Sequence, residues 1–169
     1  MLDPTDRQIV ALLQAEARMS NAEIARRLNM APSAIFDRIR KLEERGIVTG
    51  YEARLDARAL GLGLTAFIFV RGDDGVGDTR TGALLAGIPA VQEVHHVAGE
   101  DCYLVKVRVA DTDALAVLLR DRIGAIPSVR STRTTIALGT VKETYQLPLG
   151  NGAAAPVAAR SAARIASGR

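Results

Sequence analysis

The chain has 169 residues, enough for one domain or two small ones. Hydrophobic residues make up 48% and charged residues 24%, a globular rather than disordered balance; aromatics are only 4%, with no Trp, so the core must be aliphatic. The formal net charge is +3, but residues 148–169 hold Arg160, Arg164 and Arg169 and no acid, so the rest balances at 19 against 19 and bulk charge says little about nucleic acid. A single cysteine, Cys102, cannot close an intramolecular disulfide, and the start, Met1 to Asp6, turns polar within three residues, unlike a secretory leader. No stretch approaches the roughly 18 apolar residues of a membrane span, so no membrane partner and a cytoplasmic, reducing setting are expected.

In chain order, the spacing of Ile9, Leu12 and Leu13 predicts a helix from Asp6 to Ala17. Ser20-Asn21-Ala22-Glu23 reads as a capping box, Ser20 accepting from the Glu23 N–H and the Glu23 carboxylate reaching back. It opens a second helix, Asn21 to Leu28. Pro32 suits the first position of a third, which runs to about Arg45 and is capped by Gly46. Ile47 to Leu55 reads as a short strand or wing and Asp56 to Gly61 as a turn and linker. Beyond it, strands are expected over Leu64–Val70, Val91–Val97, Tyr103–Val109 and Val129–Leu138, with an extra strand over Val141–Leu147. Helices are expected over Thr79–Gly87 and, capped by Asp111, through Ile123. The order β-α-β-β-α-β is the split ferredoxin-like arrangement. The fold class is thus α+β: a helix-turn-helix domain over residues 1–50, a hinge over 51–61, an α/β domain over 62–147, and a basic tail over 148–169 expected to be disordered.

The third helix divides by angle. Ile35, Ile39 and Leu42 cluster on one side and must be buried, while Ser33, Asp37, Arg40, Lys41 and Glu44 fall on the other, with Phe36 and Arg38 on the flanks. A recognition helix needs such an apolar back and polar front. Residues 18–45 carry seven Lys/Arg against four acids, so the region is locally basic. Ser33, Phe36, Asp37 and Arg40 are candidates for base edges or thymine methyls, and Arg26, Arg27, Arg38 and Lys41 for phosphates. Ser20, Asn21 and Pro32 complete the expected DNA-binding set, at the starts of the two helices. The pattern alone leaves an ordinary solvated helix face open.

Leu2-Asp3-Pro4-Thr5-Asp6-Arg7-Gln8-Ile9, Ala17 to Ala25, Pro32-Ser33-Ala34 and Arg38 to Glu43 resemble the leucine-responsive/asparagine-responsive (Lrp/AsnC) regulator family. Gly50-Tyr51, Glu93 to Gly99, Tyr103 to Val107, Ile126-Pro127 and Ser131 to Thr134 resemble that family's second domain, so the likeness covers roughly residues 2–147. It implies a three-helix (winged) helix-turn-helix joined to a ferredoxin-like effector and dimerisation domain, binding double-stranded DNA. It also implies a homodimer that can assemble to an octamer, an amino-acid or related metabolite effector, no cofactor and no catalytic role. The effector is expected at a subunit interface, where two segments approach each other: His96, Ala98, Gly99, Glu100, Asp101 and Tyr103, and Thr132, Thr134 and Thr135. The first offers carboxylates and free backbone, the second hydroxyls. Two departures stand out. Ala31 replaces the usual Ser before Pro32, losing a cap of about 1 kcal/mol. Cys102 replaces an Asp, removing one anchor for a ligand ammonium.

Other readings are weaker. Glu100 and Asp101 also suit a plain hairpin turn. His95 and His96 point to opposite faces of a strand and with Cys102 fall short of three convergent metal ligands, so no metal is expected. No nucleophile, base and orienter converge as an enzyme requires. A ligand-independent DNA-compacting protein is the alternative to a ligand-responsive regulator.

Overall fold

The computed structural model describes residues 2–73, 79–99 and 102–149. The chain divides into two compact units, one combining the first 53 residues with the segment from Thr144, the other spanning Arg54–Glu143.

The first unit is built on three helices, α1 (Pro4–Ala15), α2 (Asn21–Leu28) and α3 (Pro32–Glu44). α1 starts two residues earlier than the periodicity suggests, because Asp3 caps it through the Asp6 N–H at 2.7 Å and Pro4 takes the first turn. It ends at Ala15, where Glu16 turns extended. Ser20 caps α2 by accepting from the Glu23 N–H at 3.2 Å. The expected return bond from Glu23 is replaced: Arg26 and Arg27 capture its carboxylate. Ala31, before α3, makes no side-chain cap. Gly46 (φ +65°) closes α3 in the left-handed conformation that glycine adopts without strain, with Gly46 N–H to Glu43 O at 2.9 Å and Ile47 N–H to Leu42 O at 2.9 Å. Ile9, Ile24 and Ile35 are fully buried at the meeting of the helices, and each contributes about 1.5–3 kcal/mol by burial. The expected wing strand is not formed. Residues 47–55 are irregular, with Ile47 and Val48 packed on the core.

The second unit is a four-stranded antiparallel sheet in the order β2-β3-β1-β4, formed by β1 (Leu64–Gly72), β2 (Val91–His96), β3 (Tyr103–Val109) and β4 (Val129–Ile136). α4 (Arg80–Ala86) follows β1. Asp111 caps α5 (Thr112–Val117) through the Ala114 N–H at 2.8 Å, and the helix widens into a π-helical segment, Leu118–Ile123. Alternation along β1 and β3 sends Ala66, Ile68, Val70, Tyr103, Val105 and Val107 to one face. There they pack with Leu85, Leu115, Leu118 and Ile123. The other face carries Phe67, Phe69, Leu104, Lys106 and Arg108.

The extra strand expected over 141–147 is absent: these residues run irregularly. The Glu143 side chain bonds back to Lys106 and Arg108, and the Leu147 N–H donates to the Gln14 side chain at 2.7 Å rather than to a neighbouring strand. Of the tail expected over 148–169, only Pro148 and Leu149 lie within the described residues, and Leu149 packs on the core of the first unit.

Gly82 lies where α4 crosses Tyr103: a Cβ there would stand 2.9 Å from Tyr103 Cε1. Gly82→Ala should destabilise the second unit by about 1–3 kcal/mol through overpacking. Gly87→Ala, whose Cβ would meet its nearest atom at 3.5 Å, should be close to neutral. Denaturant midpoints of the two variants check the contrast.

Candidate DNA-binding and effector sites

In the first unit the turn between α2 and α3 is three residues, opened by Asn29 in the left-handed conformation (φ +52°). That tight turn lets the Ile35, Ile39 and Leu42 side of α3 bury against α1 and α2. Pro32, Ser33, Phe36, Asp37, Arg40 and Lys41 are left exposed. Phe36 is the notable one, 56% exposed although large and apolar, on the face a major groove would meet. Arg40 stands 3.6 Å from Glu44 one turn on, and both side chains remain more than half exposed. Ser20 is exposed and Asn21 half-buried at the start of α2.

The basic residues behind this face are not equivalent. Arg26 and Arg27 both bond Glu23, at 2.7 Å each, and these two cations hold its carboxyl down to about 2. The pairs are exposed, so they contribute little to stability and a phosphate can displace them. Arg38, expected as a phosphate contact, is instead committed inward: its Nη1 donates to Asp3 Oδ2 and Asp6 Oδ1, both at 2.7 Å. Asp6 is buried, 8% exposed. The helical angle of Arg38, on the flank of α3, carries it toward the start of α1, where two carboxylates wait. Arg38 thus pins the recognition helix to α1. The sequence signal lay in Asp3 and Asp6, which lack neighbouring cations of their own helix turn apart from Arg7.

A residue outside the expected set also touches α3. Tyr51 donates its hydroxyl to Glu43 at 2.9 Å, and burial together with that carboxylate pushes the phenol up to about 12. The Gly50-Tyr51 motif therefore fastens the chain leaving α3 back onto it.

In the second unit the expected effector residues fall into register. His96 pairs with Tyr103, Tyr103 with Val70, and Val70 with Thr132, one row across the sheet. The His96 and Tyr103 rings stack at 5.1 Å. Thr134 pairs with Ile68, so it shares with Thr132 the face that α4 and α5 cover. Thr135 pairs with Phe67 and lies on the opposite face. The three threonines therefore cannot line one pocket within a single sheet. Tyr103, expected at the effector site, is 2% exposed beneath Gly82 and belongs to the core. Ala98 and Gly99 are exposed, Gly99 at φ +136°, and Val97 N–H donates to Cys102 O at 2.9 Å across the base of the hairpin. Glu100 and Asp101 lie outside the described residues.

The open face of the sheet holds a charge cluster that sequence reasoning passed over. Lys106 is 7% exposed and bonds Glu93 at 2.8 Å and Glu143; Arg108 reaches Glu143 at 2.7 Å. Burial lowers the Lys106 ammonium, but the Glu143 and Glu93 carboxylates outweigh it and hold the group above its ordinary value. The Lys106 ammonium in turn holds both carboxylates below theirs. Beside it Arg133 lies 4.0 Å above the Phe69 ring. Alternation in β3 places Lys106 opposite the core, yet nothing in the local sequence marks it as buried, because Glu143 arrives from 37 residues away.

Asp3 sits below its usual 3.8 because the Asp6 N–H and then Arg38 stabilise its anion. That contribution is present above the ordinary carboxylate range and is lost as pH falls through the lowered value. Arg38→Gln should therefore lower Tm at neutral pH, with the gap to wild type narrowing below about pH 4. Thermal melts from acid to neutral pH check this. A gap independent of pH would contradict the clamp.

Comparison with known proteins agrees with both halves. Residues 2–49 match a family of winged helix-turn-helix DNA-binding domains, and residues 65–147 match the Lrp/AsnC ligand binding domain. The chain is 34% identical over 148 residues to the leucine-responsive regulatory protein of Salmonella typhimurium, covering 86% of this chain and 90% of that one. A transcriptional regulator from Neisseria meningitidis, solved as an L-Met complex, superposes with a TM-score of 0.82 at 31% identity, over 88% of this chain and 97% of that one. The feast or famine regulatory protein from M. tuberculosis, complexed with L-methionine, gives 0.80 at 39% identity, over 87% and 99%. These relatives are transcriptional regulators rather than enzymes. With a buried-backed recognition helix ahead of a βαββαβ sheet, and both halves matched in order, this chain belongs to the Lrp/AsnC family of transcriptional regulators.

Proposed function

We propose that α3 enters the major groove of double-stranded DNA and that the second unit binds an amino acid or related small metabolite that modulates this binding. The observation that carries the DNA half is the division of α3, with Ile35, Ile39 and Leu42 buried and Pro32, Ser33, Phe36, Asp37, Arg40 and Lys41 exposed on one front. Ser33, Phe36, Asp37 and Arg40 read bases. Ser20, Asn21, Arg26, Arg27 and Lys41 hold the phosphates, and Arg38 acts by orienting the helix. Residues 1–53 carry eight basic and eight acidic side chains, a balance that favours reading bases over indiscriminate phosphate binding. This supports a sequence-specific regulator over an architectural protein.

Residues 1–50 form the DNA-binding domain, 51–61 the hinge and 62–147 the effector and assembly domain. The effector half rests on the row that brings His96 and Thr132 to one end of the sheet, and on the methionine complexes of two relatives. His96, Thr132 and Thr134, which share one face of the sheet, form the site with Ala98 and Gly99 just beyond β2, and Glu100 and Asp101 belong to it by sequence. The protein works in the cytoplasm as a homodimer able to assemble to an octamer, the effector shifting populations between assembly states.

Arg40→Ala should cost about 1–3 kcal/mol on a duplex selected in vitro for tight binding and much less on random sequence; Lys41→Ala should weaken both alike. Unchanged affinity for the selected duplex in both variants would sink the assignment of α3. For the effector, the twenty amino acids are screened by thermal shift. A ligand that binds the folded state should raise Tm, and Thr134→Val should shrink that rise. If no amino acid or keto acid shifts Tm at millimolar concentration, the effector half is wrong.

A further inference from the structure

A shallow cavity of about 270 Å³ opens beside α3, where α3 faces the start of α2. Its floor is apolar, formed by the buried side chains of Leu13, Met19 and Ile39. Phe36 stands in its wall at 56% exposure, and Arg40, one turn further along α3, lines the same wall. Asn21 of α2 stands on the rim. Arg40 is the only cation among the lining residues and Glu43 the only anion, and the Tyr51 hydroxyl engages that carboxylate at 2.9 Å. The cavity is therefore electrically balanced, with an apolar floor and an aromatic side. It suits a small uncharged apolar group better than a phosphate.

The position of the cavity on the helix narrows the choice. Phe36 follows Ile35, so it lies about 100° round α3 from the buried side, on the flank toward Asn21, while Ser33 and Asp37 stand nearer the centre of the front. The start of α2, with Ser20 and Asn21, is the part assigned to phosphates above. In the major groove a thymine carries its methyl on C5, between the O4 acceptor and its own strand's backbone, so the methyl lies at the wall of the groove rather than at its centre. A strand whose phosphates meet the start of α2 therefore turns its thymine methyls toward this flank. None of the other three bases offers an apolar group there. From this juxtaposition of an apolar floor, an exposed phenyl ring and a neighbouring phosphate-binding helix start, we infer that the cavity beside Phe36 seats the 5-methyl group of a thymine. Phe36 thereby selects a T·A pair at one position of the DNA site, while Arg40 reads the polar edge of a pair beside it. The inference rests on the DNA-binding reading above and gives one base of the site its identity.

The test uses the full chain and the duplex selected in vitro. Each thymine of that duplex is replaced in turn by uracil, which removes the methyl and keeps the pairing, and affinity is followed by fluorescence anisotropy at fixed salt. At one or more positions the replacement should weaken wild type about 4-fold, the worth of one buried methyl-sized group. Phe36→Ala should bind the thymine duplex and that uracil duplex alike, and more weakly than wild type binds the thymine duplex. Because Phe36 is exposed, its truncation should leave Tm close to wild type. If no uracil replacement weakens wild type, while it still prefers the selected duplex to random sequence, the methyl site is wrong and the assignment of α3 stands. If Phe36→Ala keeps the sensitivity, the methyl lies against another residue and the inference fails. Wild type that does not distinguish the selected duplex from random sequence would overturn the base-reading role of α3 and the methyl site with it. The scan on wild type is by itself enough to overturn the inference.

Discussion

The recognition helix is useful only if its orientation is held from behind, and that constraint organises the first unit. Ile35, Ile39 and Leu42 give α3 its place by burial, which is strong but non-directional. Direction comes from Arg38, whose two bonds to Asp3 and Asp6 fix rotation of α3 against the start of α1. Tyr51 adds a restraint at the other end through Glu43. Arg38, expected at a phosphate, is thus bonded within the scaffold that orients α3.

Charge in this unit is arranged locally rather than in bulk. Glu23 draws Arg26 and Arg27 along one edge of α2, and these exposed pairs are weak enough to yield to phosphate. The Arg38 cluster is half-buried and is not so easily exchanged. The difference between the two is desolvation: an ion pair partly removed from water costs more to break than one on the surface. The same logic holds in the sheet, where Lys106 is tolerated at 7% exposure only because two carboxylates surround its ammonium.

The effector half shows how strand geometry edits a list of residues. Thr132, Thr134 and Thr135 are neighbours in the chain, but a strand alternates, and the β1–β4 register sends Thr135 to the face of Phe67. Tyr103 shares its face with His96 and Thr132, yet α4 comes so close at Gly82 that the ring is sealed into the core.

Periodicity and caps made most of the elements legible. α2 and β3 have the limits that Ser20, Leu28, Tyr103 and Val109 suggest, and Gly46 and Asp111 terminate and start helices where their chemistry requires. These features depend on residues within a few positions of one another, so the sequence alone determined them, along with the buried and exposed sides of α3. Contacts between distant residues lay beyond it. Val141–Leu147 has the alternation of a strand, but Glu143 is drawn to Lys106 and Leu147 to Gln14, so the segment never pairs. Glu23 had a capping role by spacing and lost half of it to two arginines. Arg38 had a phosphate role by angle and found two carboxylates at the start of another helix. In each case a charged or amide group had several partners of similar strength in reach, and only the tertiary structure decided among them, because it alone brings residues from different elements within hydrogen-bonding distance.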